Sequence, residues 1–239
     1  MNRFDTPVWA VPRGTEGVRI MTQAVAESMP VADCLAGTGL DESDLADEDH
    51  EIWAHQEFTV VSNIVNRLGD SPGLGVGVGG FSTVGRLGVL GFAFLTSATL
   101  RDGLERILPY QALLPSHVRF SVHSDDEAEY LLADDRDIPP QIRPFIVERD
   151  LAGLAAVLAG ANVTIAADWL ETTLDEDRAR RLAATWSLTS DGRSTPPSPD
   201  RPLERWSCPS SSRSSRTGRP PTGWWAGRCA RSSPPTPGS

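Results

Sequence analysis

Apolar residues recur at helical spacing along much of the first 185 residues, and that period predicts most of the elements. Val18, Met21, Val25 and Met29 mark a helix over 16–29, which Pro30 stops. The stretch "VADCLAGTGL" predicts a short helix ended at Gly37 or Gly39, and "DESDLADEDHE" an acidic connector. A longer helix is expected over 51–68, capped by the Asp49 carboxylate. Trp53, Val60, Ile64 and Leu68 form its apolar stripe, and Phe58, Val61 and Val65 widen it. "GDSPG" ends it. Thr99 and Asp102 make a capping-box variant that opens a helix carrying Leu100, Leu104, Ile107 and Leu108. Pro109 should kink or stop that helix.

A two-residue period follows. Val118, Phe120 and Val122 alternate with Arg119, Ser121 and His123, while Tyr130 and Leu132 alternate with Glu129 and Leu131. With "SDDE" between them, the two runs predict a β-hairpin. Pro139-Pro140 then leads a helix through Ile142, Phe145, Ile146, Leu151, Leu154 and Leu158, and a last helix is expected over 168–184. The layout is α+β: a helix-rich domain over 15–185 with a small antiparallel hairpin, preceded by a flexible arm at 1–14.

From Trp186 onward neither period survives. Composition sharpens this boundary. Residues 1–185 hold 14 Arg against 29 acids, a net of −15, whereas the last 54 residues hold 8 Arg against 3 acids, a net of +5. That last stretch also holds 10 of the 19 prolines and 4 of the 7 tryptophans. Such a segment buries too little apolar surface to offset chain entropy, so 186–239 reads as a disordered tail. The chain has no lysine, which points to GC-rich coding. Arg, Pro, Gly, Ser and Trp are what GC-rich DNA yields out of frame, so a frameshifted C-terminus is the expectation and an ordinary disordered tail the alternative. Translating the other two frames after the Thr185 codon separates them.

The charge of the body also limits its partners. An acidic surface repels phosphate backbones, so specific DNA binding by this domain is not expected. Cys34 is the only cysteine before residue 186, which fits a reducing cytoplasm. The N-terminus has no continuous apolar core of a signal peptide. The longest apolar run, 87–95, is far short of the about 20 residues that cross a bilayer.

Three motifs come close to known chemistry. "GVGVGG" at 75–80 is a literal G-x-G-x-x-G, but a dinucleotide site needs a strand before it and a helix after it. An amphipathic helix and a Pro-Gly turn precede it instead, so the glycines are assigned to packing. Gly85, Gly88 and Gly91 recur every three residues and suggest a bare helical stripe open to a close neighbour or to a bulky apolar ligand. "HEIWAHQE" misses the zincin H-E-x-x-H by one residue: His50 and His55 fall roughly 140° apart on a helix. "GFSTVG" around Ser82 is one residue longer than the G-x-S-x-G nucleophile elbow, and its base would have to be His117 or His123. No cofactor, metal ligand set or catalytic constellation is complete, which argues against an enzyme.

Taken together, several of these stretches resemble the N-terminal effector and dimerisation (arabinose-binding-type) domain of a subset of AraC-type bacterial transcription regulators. The shared pattern is the L-x-G-T-G-L turn at 35–40, the helix with Gln56 and Asn63, and the G-x-L-G turn with Ser97, Thr99 and Leu100. Tyr110 and the "PFIVERDLAGL" helix at 144–154 complete it, so that the likeness covers roughly 17–160. The resemblance implies a sensor of an unknown small-molecule effector that forms a homodimer or pairs with a full-length relative. In such regulators two helix-turn-helix units follow the sensor, and 186–239 carry no such pattern, so the expectation is a truncated regulator without DNA reading. A module that only pairs with intact relatives, and a hydrolase using Ser82, are the competing readings. Phe92, Phe94, Tyr110 and Phe120 are the candidates for an apolar ligand pocket, with Arg119 to meet an acidic group. Core aromatics and a solvated arginine are the simpler account of the same five residues.

Overall fold

The structure is a computed structural model and describes residues 10–124, 129–163, 167–186 and 224–229. In chain order it runs β1 (Arg13–Gly14), α1 (Glu16–Ala24), α2 (Val31–Leu35), α3 (Glu42–Ala46), β2 (Glu51–Ile52), α4 (Ala54–Leu68) and α5 (Leu74–Gly79). A 3₁₀ turn (Val84–Leu87), α6 (Gly88–Leu95), α7 (Leu100–Ile107) and a second 3₁₀ segment (Leu108–Leu113) follow. Then come β3 (Arg119–Ser124), β4 (Glu129–Asp134), α8 (Arg143–Gly160), β5 (Ala167–Glu171), α9 (Glu176–Thr185) and β6 (Trp224–Cys229). The α+β, helix-rich class is as the sequence predicts. The strands pair antiparallel, β1 with β2, and β3-β4-β6-β5 in a four-stranded sheet.

Helix α8 is the centre of the fold. Every residue from Phe145 to Gly153 is buried, which leaves this segment no solvent face. Helix α5 lies against it at backbone distance. A methyl group on Gly75 would overlap the Phe145 carbonyl, and one on Gly79 the Arg149 carbonyl. Gly75 and Gly79 of the G-x-G-x-x-G stretch are therefore packing residues, as expected, while Gly77 faces open space. Their helix also meets an anion, but one from the protein itself: the Glu148 carboxylate of α8 accepts from Gly73 N at 3.0 Å and Gly75 N at 3.1 Å.

The L-x-G-T-G-L turn is held by α4. Gly37 and Gly39 take φ of +75° and +76°, a region that side chains strain to enter. Asn63 Nδ2 donates to Cys34 O at 2.9 Å and Ala36 O at 2.8 Å, and Gln56 Nε2 to Thr38 O at 3.1 Å. These two amides satisfy carbonyls that the turn leaves open. Cys34 beneath them is buried and free.

Several elements differ from the sequence reading. The helix expected from residue 51 begins at Ala54, because Glu51–Ile52 pair with Arg13–Gly14 as strands. Gln56 Oε1, not Asp49, then serves the open end by accepting from Trp53 N at 2.9 Å. Gly85, Gly88 and Gly91 do not form one stripe, since Gly88 has φ +55° and breaks the chain between the 3₁₀ turn and α6. Gly91 instead makes room for the Val84 carbonyl. The helix expected over 168–184 is strand β5 followed by α9, whose cap is the Asp175 carboxylate accepting from Arg178 N at 3.0 Å.

On β4 the buried face is Leu131 and Ala133, one residue out of step with the expected Tyr130 and Leu132. Register explains it. Ala133 stands opposite Phe120 and Leu131 opposite Val122, and directly opposed residues share a face. Thr99 caps α7 as expected, accepting from Asp102 N at 3.1 Å. Pro109 falls in the 3₁₀ segment that takes over from α7, with the kink at Tyr110.

Within the stretch expected to be disordered, Trp186 packs into the core at 4% exposure, and β6 lies between β4 and β5. The two tryptophans at the start of β6 suit a strand. The rest of the expected tail, and residues 1–9 of the expected arm, lie outside the described residues, and with them the frameshift expectation.

Candidate functional site

Three consecutive charged residues in the middle of α8 each bind a different part of the fold. Glu148 holds the start of α5, and Arg178 of α9 lies 3.4 Å from it. Arg149 Nη1 reaches Glu57 Oε1 of α4 at 2.8 Å, and its Nε reaches Asp150 Oδ1 at 2.7 Å. Asp150 Oδ2 accepts from Ser116 Oγ (3.1 Å), His117 N (2.7 Å) and Val118 N (2.9 Å), which anchors the entry to β3. Arg13 closes the cluster from β1 by donating Nη1 to Ser116 O at 2.9 Å. Gly17 leaves space for it: a methyl there would stand 2.5 Å from Glu57 Oε1.

His117 completes the group. Its Nε2 lies 2.9 Å from Glu57 Oε2, and its ring packs on Phe58 with centroids 4.6 Å apart. Burial works against charge throughout. It would raise the Glu57 carboxyl, but His117, Arg149 and Arg13 outweigh it and hold that carboxyl well below its usual range. For Arg149 burial is overcome by Asp150 and Glu57, which keep the guanidinium firmly protonated. For His117 burial prevails over the pull of Glu57 and lowers the imidazole. Arg149 and Arg13 are the permanent cations beside Glu57. Two cations and two anions then balance.

A pH dependence follows from His117. Its folded value lies below the unfolded one, so below about pH 6.5 the unfolded chain takes up this proton first. Stability attached to His117 is present above that pH and lost as pH falls. The depressed Glu57 carboxyl adds a loss of the same sign at lower pH. Urea unfolding between pH 7.5 and 5.5 should show stability falling with acidification in the wild type and a shallower slope in His117→Gln.

Beside the cluster lies an apolar cavity of about 70 Å³ between α1, α6, α7 and α8. Leu104, Ile107, Leu154 and Val157 form much of its wall, and Arg149, Asp150, Ser82 and Ser116 supply its polar groups. Gly103 lets the Phe94 ring approach α7 closely, since a methyl there would meet that ring at 2.8 Å.

Of the five residues singled out in the sequence, the structure brings Phe94 and Phe120 together in the cavity wall, each 6% exposed. Phe92 and Tyr110 point outward, 69% and 56% exposed. Arg119 pairs with Asp137 at 2.8 Å and sits 3.8 Å from Asp134, on the sheet edge. Glu57, Arg149 and Asp150 escaped the sequence reading. Their signal was there: Glu57 falls four residues after Trp53 and four before Val61 on an apolar stripe, and "ERD" interrupts the apolar runs of α8.

The near-motifs resolve by position. His50 precedes β2 and contacts Asp44 at 3.5 Å, while His55 is in the first turn of α4, so the two do not share a helix. Ser82 packs on Gly153, whereas His117 contacts Glu57 and His123 contacts Ser121 at 3.1 Å. No described helix is long and apolar enough to cross a membrane.

Two uncharacterized HTH-type transcriptional regulators, from Mycobacterium bovis and Mycobacterium tuberculosis, are each 32% identical over 154 residues. The match covers 64% of this chain and 45% of each regulator, so the chain spans less than half the length of these relatives. No solved structure matches. The model of the arabinose-binding domain found at the N-terminus of AraC transcription regulators matches residues 29–189, well over half the chain, and the chain belongs to that family.

Proposed function

We propose that this chain is an effector-sensing and dimerising domain of a cytoplasmic transcription regulator, and that its residues 186–239 do not read DNA. The observation that carries the sensing part is the apolar cavity, walled by Phe94 and Phe120 and floored by Arg149 and Asp150. A ligand there touches the helix that ties α4, α5, α9 and β3 together. An effector that fits one arrangement of these elements better shifts the population toward it. A thermal-shift screen of small molecules on the full chain tests this. Melting that no compound raises overturns the sensor reading.

Dimerisation is supported by α6, where Val89, Phe92 and Leu95 stand 75%, 69% and 53% exposed at three-residue spacing. A row of this kind on a soluble face favours a protein partner, here a second copy of the chain or a full-length relative. Phe92→Glu should convert a dimer to monomer in sedimentation equilibrium while leaving the melting of the fold nearly unchanged. That 186–239 do not read DNA rests on the absence of a helix-turn-helix pattern in these residues. Arginines there would give only weak, salt-sensitive DNA contact. Electrophoretic shifts on promoter DNA that survive 200 mM salt would overturn that part, roughly where non-specific binding fades. A decoy role, pairing with intact relatives, keeps the same α6 face and predicts hetero-dimers in a pull-down with such a relative.

A further inference from the structure

The chemistry of the cavity wall restricts what can fill it. Ile20, Phe94, Leu104, Ile107, Phe120 and Val157 line it, and all of them are buried. Arg149 lines it too, yet its side chain is 4% exposed, and its Nε and Nη1 are engaged by Asp150 and Glu57. Its Nη2 presents less than 1 Å² of surface, so no ligand atom in the cavity reaches that nitrogen. The Asp150 side chain is 1% exposed, with Oδ1 on Arg149 and Oδ2 accepting from Ser116 Oγ, His117 N and Val118 N. Both charges are therefore met from inside the protein and offer the cavity almost no surface.

Two side-chain hydroxyls remain in the wall. Ser116 Oγ directs its hydrogen to Val118 O and Asp150 Oδ2, at 3.0 and 3.1 Å. Ser82 Oγ has no hydrogen-bond partner among the described residues and is free to serve one polar atom of a ligand. Neither hydroxyl can replace the hydration of an ion, and the acidic body repels anions before they arrive. A molecule with a polar atom on every carbon leaves most of them unpaired against leucine, isoleucine, valine and phenylalanine. Each unpaired group weakens binding by roughly five- to a hundredfold. Hydrocarbon loses nothing there and supplies the contacts that an empty apolar space lacks. The space of about 70 Å³ admits only a small body.

We infer that the cavity is a binding site for a small, uncharged hydrocarbon body, an alkyl chain or an apolar ring, that carries at most one hydrogen-bonding atom. Carboxylates and polyols are excluded from it. The inference rests on the sensor reading and names its ligand chemistry. Selectivity then follows fit to Phe94, Leu104 and Leu154 rather than a charged anchor.

The test titrates benzene, cyclopentanol, butanoate and glycerol, which have equal numbers of non-hydrogen atoms, into the methyl-labelled full chain at pH 7.5. It follows Ile20, Ile107 and Leu154 by NMR. Benzene and cyclopentanol should each bind about tenfold or more tightly than butanoate and glycerol. Their shifts at Ile20 and Ile107 should vanish in Leu154→Trp, which fills the cavity. If that variant does not fold, Leu154→Phe adds less bulk and should weaken both ligands. Butanoate or glycerol binding as tightly as benzene overturns the inference, as do benzene shifts that persist undiminished in the filled variant. Absence of binding by benzene and cyclopentanol when other screened compounds raise melting overturns the ligand class and leaves the sensor reading standing. Failure of every compound in both experiments overturns both.

Discussion

Glu57→Ala is expected to lower the free energy of unfolding by about 3–5 kcal/mol, the usual cost of stranding a buried charge. Glu57 is fully buried and, among the described residues, is the carboxylate that Arg149 meets on α4 and that His117 contacts. Removing it leaves the guanidinium with Asp150 alone and leaves Arg13 and Arg149 against one carboxylate, one positive charge in excess in an apolar interior. Truncation of the side chain adds a cavity beside Gly17. Glu57→Gln, which preserves shape but not charge, should fall between wild type and alanine. Urea unfolding of the three proteins at pH 7.5 checks this, and an alanine variant within about 1 kcal/mol of wild type would deny the cluster a structural role.

The second large effect separates two glycines of one helix. Gly79→Val should cost about 3 kcal/mol or more, because its Cβ would overlap the Arg149 carbonyl and lie 2.8 Å from Gly153 N, and backbone cannot swing aside. Gly77, two residues earlier in α5, faces open space with nothing within 4 Å. Gly77→Ala should therefore stabilise by about 0.5–1 kcal/mol, through helix propensity and a smaller unfolded-state entropy. Opposite signs at positions 77 and 79 would establish that α5 is glycine-rich for its contact with α8. Equal losses at both would mean that α5 needs backbone freedom instead. The displacement at Gly79 should also perturb ligand binding, since Arg149 and Gly153 both line the cavity.

These two sites show how far the sequence carries. The apolar period located α4, α7 and α8 because each buries a long stripe, and burial of a stripe at 3.6-residue spacing leaves its mark on neighbouring residues along the chain. The turn at 35–40 and the amides Gln56 and Asn63 stood out through the family pattern, and the structure gives them a joint purpose: the amides satisfy the carbonyls of the turn. Phe94 and Phe120 could be named as apolar anchors, but Phe92 had the same local signal and faces outward. Two residues along a helix turn the side chain by roughly 200°, and only the place of α7 says which side is inside.

The sequence by itself determined the fold class, the helices with wide stripes and the family, because these are written in near neighbours along the chain. Tertiary structure alone decided the strand Glu51–Ile52, the buried face of β4, the break at Gly88 and the cluster of Arg13, Glu57, His117, Arg149 and Asp150. Each of those depends on a partner far away in sequence: β1 for the strand, β3 for the register, four separate segments for the charges. Ion pairs between residues 92 apart leave no period in the sequence, and the cost of burying a charge is visible only once its partner is in place.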